Sequence, residues 1–181
     1  LTDPRLAGRI ASYTSISGPA LEHTAAWARR LRDHPLTSAR QLLNSYYIGL
    51  ILLPRLPEAA IRRGLLDRAL AAANRRTGSS GSSGTEPAPS RSIDDKINGL
   101  ELYRANIGSP LARRPRPQQI DIPVCVIAIE DDAYLTPRLC LEAPAPYVRD
   151  LHTRTISGGH WVVSREPALV ATCLREFVAA L

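Results

Sequence analysis

The sequence is poor in several residue types that mark particular classes of protein. It contains no Met and a single Phe, and aromatic residues make up 5% of its 181 positions. It has no apolar run of about 18 residues or more, so we predict no membrane span. Its first residues, Leu1 to Pro4, lack the charged and then apolar pattern of a signal peptide. Because an initiator Met is missing, we expect the sequence to begin inside a longer protein.

Cysteine is also scarce, and the spacing of the cysteines does not match that of a metal-binding site. The three cysteines, Cys125, Cys140 and Cys173, form no C-x-x-C pair and lie among apolar residues. We therefore expect buried free thiols in a protein of the reducing cytoplasm. A catalytic cysteine is disfavoured because none of the three lies at a predicted strand-to-helix turn.

Lysine is almost absent, although the net charge is +6. Of the 23 basic residues only Lys96 is a lysine. Arginine pairs such as Arg29-Arg30 and Arg113-Arg114 are scattered along the chain and are not interleaved with aromatic residues, as a nucleic-acid groove would require. We predict solvated helix faces and no binding of nucleic acid.

The apolar pattern predicts alternating strands and helices. Strands are predicted over residues 9–17, 123–129 and 150–157, and the continuous apolar run 123–129 is typical of a strand buried on both faces of a parallel sheet. The segment 38–53 is apolar nearly all round, which predicts a helix that is buried on most sides or lines an apolar cavity. Further helices are predicted over 20–33, 57–74 and 92–107, from 136 onwards, and from 164 to 181.

The order of these elements predicts three regions. Residues 1–19 form a core strand and loop, 20–112 an inserted helical cap, and 113–181 the βαβα end of a doubly wound sheet. Thr77 to Arg91 is rich in Gly and Ser, so we expect a mobile, disordered loop within the cap. Its residues 81–84 resemble an engineered linker, and a natural insertion fits equally well. Three strands make a small sheet for an α/β domain, so we expect more strands in front.

The most specific local signal is the run Gly158-Gly159-His160-Trp161, which follows the last strand. Two glycines permit a tight turn that presents an imidazole at the carboxyl end of the sheet. A histidine in that place can act as a general base at neutral pH. The alternative is a loop histidine that caps the last helix or packs on Trp161.

A second signal follows the buried strand. Asp131 and Asp132 stand where a carboxylate can orient an imidazole and stabilise its charged form. The alternative is that the aspartate caps the next turn. An acid followed by a histidine in successive strand-end loops is the order found in α/β-hydrolases, so the pair is a stronger signal than either residue.

A third signal consists of two tyrosines, Tyr47 and Tyr103, in the predicted cap. Phenol hydroxyls can donate hydrogen bonds and a proton to the oxygen of a three-membered ring as it opens. Taken alone, these residues favour the plainer interpretation, in which amphipathic tyrosines pack beneath helices.

At these residues the sequence resembles the soluble epoxide hydrolase family of α/β-hydrolases. Residues 9–19 resemble the strand and loop after the nucleophile helix, and residues 45–58 and 100–106 resemble the two tyrosine segments of the cap. The family's tyrosines match Tyr47 and Tyr103. Its acid matches Asp132, five residues before Pro137, and its histidine matches His160.

The resemblance implies the C-terminal part of an α/β-hydrolase sheet with an inserted, all-helical cap. It also implies a two-step reaction on a small apolar substrate such as an epoxide, with no cofactor and no metal. An aspartate attacks the epoxide and forms an ester while Tyr47 and Tyr103 assist departure of the ring oxygen. His160, oriented by Asp132, then activates water to release a vicinal diol.

The sequence departs from the family in one essential respect. The nucleophile and the His-Gly-X-Pro segment that supplies oxyanion donors precede residue 9 in the family and have no counterpart here. We therefore expect the chain to be inactive alone. A haloalkane dehalogenase or a Ser esterase would share Asp132 and His160, and a non-catalytic fragment that serves as a binding module is a further alternative. Homo-oligomerisation, the substrate and the nucleophile stay open.

Overall fold

The computed structural model describes residues 3–30, 33, 35–69, 92–112 and 117–181. The chain divides into two compact units. Residues Leu1–Ser45 and Arg113–Leu181 form one, which we call the sheet unit, and Tyr46–Ala112 form the other, which we call the helical unit. The predicted loop over 77–91 lies outside the described residues.

The sheet unit is built on three parallel strands in the order β1-β2-β3. They are β1 (Tyr13–Ile16), β2 (Val124–Ile129) and β3 (Leu151–Ile156), each within its predicted range. All six residues of β2 are buried, as the continuous apolar run predicts for a central strand covered on both faces. Because the strands are parallel, the loops that follow them leave from the same edge of the sheet.

The helices follow the predicted order, with three additional breaks, at Ser45, Gly64 and Glu166. They are α1 (Leu21–Ala28), α2 (Pro35–Asn44), α3 (Tyr46–Leu52), α4 (Leu56–Arg62), α5 (Ile93–Ala112), α6 (Pro137–Glu142), α7 (Val162–Arg165) and α8 (Pro167–Ala179).

One break interrupts the helix predicted over 57–74. Gly64 adopts a φ of +68° and ends α4, because a left-handed residue without a β-carbon closes a helix readily. Residues 65–69 are helical again.

Apolar residues cover both faces of the sheet. On one face α8 packs against β2 and β3, and on the other α6 contributes to a second cluster. The three cysteines are free and buried, as predicted. Burial, reinforced by the nearby charge of Asp132, raises the pKa of Cys140 to about 12, so this thiol stays protonated. Within the described residues, no helix combines the length and the apolar character needed to cross a bilayer.

The boundary of the helical unit differs from that of the predicted cap. We predicted a cap over residues 20–112, and the second compact unit begins at Tyr46. Compactness within this chain does not test where a cap begins, so these domain bounds stay a prediction. Residues before Tyr46 belong with the sheet because they are anchored to α6 and its preceding loop. Trp27 is buried against Leu139, and its indole N–H donates to Glu142 Oε2 at 2.9 Å.

The helix predicted over 38–53 is not continuous in the structure. It breaks at Ser45 into α2 and α3, and Leu42, Leu43 and Tyr46 are 67%, 74% and 70% exposed. The predicted burial on most sides is therefore wrong for these residues, and the alternative, a helix that lines an apolar cavity, stays a prediction. The physical reason is that α2 packs on the rest of the sheet unit through polar residues, a buried Ser38 and a hydrogen-bonded Gln41, so its leucines face away from that contact.

Candidate active site

Asp132 lies in the loop that follows β2, and its side chain has no exposed surface. Its Oδ1 accepts hydrogen bonds from the backbone N–H of Tyr134 at 2.8 Å and of Leu135 at 3.1 Å. The carboxylate therefore builds the turn that carries it, as aspartates do when they bond to backbone two residues on. The turn-capping interpretation of Asp132 and a role toward an imidazole are both compatible with this geometry.

His160 lies in the loop that follows β3, at the same edge of the sheet. Gly158 there has a φ of +129°, and a β-carbon on it would come within 3.1 Å of Val162 Cγ2, so the turn requires glycine. The backbone N–H of Asp131 donates to Gly158 O at 3.1 Å and connects the two loops. His160 Nδ1 consequently lies 2.9 Å from Asp132 Oδ2.

The electrostatics of this pair determine which nitrogen carries the proton. Burial raises the pKa of Asp132, but hydrogen bonds from His160 and from the N–H groups of Tyr134 and Leu135 outweigh it, and the pKa lies below its ordinary value. An ionised carboxylate only accepts hydrogen bonds, so Nδ1 must be the donor. Neutral His160 then has its lone pair on Nε2, the nitrogen that can accept a proton.

Two aromatic rings flank the imidazole of His160. The Tyr134 ring lies 4.8 Å from it at 69°, and the Trp161 ring lies 5.1 Å from it at 82°. Edge-to-face contacts of this kind favour one ring orientation. The packing of His160 on Trp161 that the sequence suggested is thus present together with the bond to Asp132.

The helical unit brings the two predicted tyrosines together. The rings of Tyr47 on α3 and Tyr103 on α5 lie 6.3 Å apart at 76°, and both side chains are half-buried. Arg104, next to Tyr103, joins these helices because its guanidinium donates to Ile51 O at 3.1 Å and to Leu53 O at 2.7 Å. It also pairs with Glu58 in the first turn of α4.

The four predicted residues therefore form two pairs. Asp132 and His160 belong to the sheet unit, and Tyr47 and Tyr103 belong to the helical unit. The convergence of all four on one cavity stays a prediction.

Sequence reasoning missed two residues that contact His160 or the loop carrying Asp132. Tyr134 contacts the imidazole, and Gln41 hydrogen-bonds to the backbone of residues 134 and 136 from 93 to 95 positions away. No motif marks Gln41, because a contact over such a separation depends on how α2 packs. Among the described residues no group of three or more His, Cys, Asp or Glu side chains is arranged to hold a metal ion.

Comparison with known proteins finds similarity at the level of structure. No protein-family model and no curated protein matches the sequence. An epoxide hydrolase variant from Bacillus megaterium, bound to its naphthyloxypropanediol product, superposes with a TM-score of 0.66 at 18% identity, over 97% of this chain and 63% of that one.

Two further solved structures give a similar result. A Pseudomonas aeruginosa protein assigned as an epoxide hydrolase has a TM-score of 0.64 at 22% identity, over 94% of this chain and 58% of that one. An epoxide hydrolase from a hot-environment metagenome has a TM-score of 0.53 at 19% identity, over 93% and 59%. The chain thus spans less than two thirds of the length of each of these structures, and its fold is that of the C-terminal portion of an α/β-hydrolase.

Proposed function

We propose that this chain supplies the acid–histidine pair and the ring-opening tyrosines of an epoxide hydrolase, which converts a small apolar epoxide to a vicinal diol. One observation carries the proposal: the 2.9 Å contact between His160 Nδ1 and an Asp132 side chain that has no exposed surface. A buried carboxylate that accepts from Nδ1–H stabilises the imidazolium formed when Nε2 takes a proton.

In this scheme the pair acts in the second half of the reaction. The first half leaves an ester between an enzyme carboxylate and one carbon of the former epoxide. His160 Nε2 removes a proton from water as the water attacks the ester carbonyl. The ester C–O bond then breaks, and the departing alkoxide takes up the proton that His160 accepted. The diol is released, and the enzyme's carboxylic acid, which now carries the oxygen of the water, loses its proton to solvent.

Tyr47 and Tyr103 act in the first half. Their ring separation of 6.3 Å supports the proposal that both hydroxyls hydrogen-bond to the same epoxide oxygen. Opening the ring places negative charge on that oxygen, and two fixed O–H donors stabilise it in the same way as an oxyanion hole. The phenols also favour epoxide over alkyl halide, whose leaving halide needs no proton.

The attacking aspartate, in our proposal, belongs to a part of the complete protein that this sequence does not include. The greater length of the similar solved structures supports this placement. In the complete protein we expect turnover of an epoxide such as styrene oxide, and for the 181-residue chain alone we expect none.

The test is His160→Gln in the complete protein. The ester should form and persist, and intact-mass spectrometry should detect an adduct of one epoxide molecule with no loss of water. His152→Gln is the matched control, since His152 lies on β3 and pairs with Asp150 instead of Asp132; it should turn over epoxide normally and accumulate no adduct.

Other outcomes would contradict the proposal in recognisable ways. An adduct on a serine from an ester substrate would indicate an esterase, and halide release from a haloalkane would indicate a dehalogenase. If the complete protein acts on none of these three substrate classes, the epoxide, the ester and the haloalkane, the chain is a non-catalytic module.

A further inference from the structure

The side-chain amide of Gln41 uses every hydrogen bond that it can make. Its Nε2 donates to Tyr134 O at 2.8 Å and to Ser45 Oγ at 3.0 Å. Its Oε1 accepts from the backbone N–H of Thr136 at 2.9 Å and from Thr136 Oγ1 at 3.2 Å. An amide has two N–H donors and two acceptor lone pairs, so this set is complete. A flipped amide would place N–H groups against the N–H of Thr136, and the orientation is therefore fixed.

These bonds complete the support of the loop that carries Asp132. The loop has three consecutive backbone N–H groups, and Asp132 Oδ1 accepts the first two, from Tyr134 and Leu135. Gln41 accepts the third, from Thr136, and also holds the carbonyl of Tyr134. The backbone of Tyr134 is thus fixed at two points: its N–H donates to Asp132, and its C=O accepts from Gln41.

The same backbone positions the contacts of the imidazole. The Tyr134 ring lies against His160. The N–H groups of Tyr134 and Leu135 add to the hydrogen bond from His160 in holding the pKa of Asp132 below its ordinary value. If the loop moves, the aromatic contact and the carboxylate's donors are lost together. Gln41 lies on α2, and its bond to Ser45 connects the loop to the last residue before the helical unit.

From this geometry we propose that Gln41 is a positioning residue: its amide holds the Asp132 loop so that the carboxylate and the Tyr134 ring fix the orientation of His160. The catalytic meaning of this role rests on the proposed function, whereas the positioning itself can be measured without substrate.

The experiment compares Gln41→Ala with Gln41→Glu and with Arg40→Ala. Arg40 is the exposed neighbour on α2 and provides the matched control. Gln41→Glu keeps the size and an acceptor for Thr136 but, when ionised, has no donor for Tyr134 O. Amide hydrogen exchange of Tyr134, Leu135 and Thr136 is measured by NMR, with the amides of β2 as internal reference.

In Gln41→Ala we expect exchange of the three loop amides to accelerate by about tenfold or more, since several hydrogen bonds are lost, while β2 amides keep their rates. The pKa of Asp132, followed through its carboxyl carbon shift, should rise as its N–H donors loosen. Arg40→Ala should match the wild type in both measurements.

A folded Gln41→Ala with wild-type loop exchange and an unchanged Asp132 titration would overturn the proposal. If Gln41→Ala also accelerates exchange throughout β2, that variant is unfolding globally. The proposal is then tested with Gln41→Glu at neutral pH, through the exchange of the three loop amides and the titration of Asp132. Neither readout involves turnover, so a failure of the proposed function leaves the result intact. In an active complete protein, Gln41→Ala should slow ester hydrolysis and leave ester formation unchanged.

Discussion

Replacing Asp132 with Asn tests the electrostatic basis of the candidate site with almost no change of volume. The amide oxygen of Asn can still accept from the N–H groups of Tyr134 and Leu135, so the turn should persist. Its NH₂ group would then face His160 Nδ1, which lies 2.9 Å from the present Oδ2. Two donors cannot share that contact, so the imidazole proton should move from Nδ1 to Nε2.

The energetic cost follows from the lost charge. A hydrogen bond to a charged group contributes about 1.5–3 kcal/mol, so Asp132→Asn should lower the free energy of unfolding by about that amount at pH 7. Asp132→Ala should cost more, because each backbone N–H left without an acceptor adds about 1–3 kcal/mol.

The difference in unfolding free energy between the wild type and Asp132→Asn should become smaller as the pH falls. The pKa of Asp132 lies below its ordinary value in the folded state, so the carboxylate's contribution is present above the unfolded pKa and is lost as the pH falls through the folded one. The two unfolding curves should therefore approach each other in acid. Urea titrations at a series of pH values measure this.

The ring nitrogen shifts of His160 provide the decisive assay, because they report directly which nitrogen carries the proton. If Asp132→Asn leaves the proton on Nδ1 and the stability at neutral pH unchanged, the carboxylate does not orient the imidazole and the reasoning fails. In the complete protein, the wrong tautomer should reduce turnover by about 10⁴-fold, as in serine proteases with the equivalent change.

Three further predictions concern other parts of the chain. Burial lowers the pKa of His23, so wild-type stability should fall as the pH drops below about 6.5, by at most about 1.4 kcal/mol per pH unit. His23→Phe, which keeps a ring against Tyr147, should remove that dependence in urea titrations, and a flat wild-type profile would contradict it. Gly158→Ala should cost about 1–3 kcal/mol in the same assay because of its positive φ, whereas Gly99→Ala, in an open helical position, should cost nothing. Arg104→Lys should lower the melting temperature, measured by circular dichroism of the helices. The bonds to Ile51 O, Glu58 and Leu53 O leave from three different nitrogens of the guanidinium, which the single nitrogen of an ammonium cannot replace. An unchanged melting temperature would show that water replaces these bonds.

The parts of the fold that local sequence patterns encode were predictable. The run 123–129 identifies β2 because a strand covered on both faces has no reason to alternate polar and apolar residues. The Gly158-Gly159-His160 turn was predictable because paired glycines permit a tight turn, and the φ of +129° at Gly158 requires one of them. The Asp132–His160 contact followed from parallel strands whose loops leave from one edge of the sheet.

Features that depend on long-range packing were not predictable. The break at Ser45, by contrast, has a local signal that we did not weigh against the apolar pattern: Asn44 and Ser45 interrupt the apolar residues, and serine is favoured immediately before a helix begins. Gln41 is one polar residue among many until α2 lies against the loop of Tyr134. The leucines of α2 suggested burial, but hydropathy alone cannot say which face of a helix finds a partner.

The state of the thiols gives this protein a practical advantage. Cys125, Cys140 and Cys173 are all buried, and burial raises the pKa of the first two, so maleimides should react with them slowly. A cysteine introduced at an exposed position, such as Leu102 or Val178, should then take up a fluorophore or spin label selectively. Distances across the molecule can be measured spectroscopically in this way without removing any native side chain from the interior.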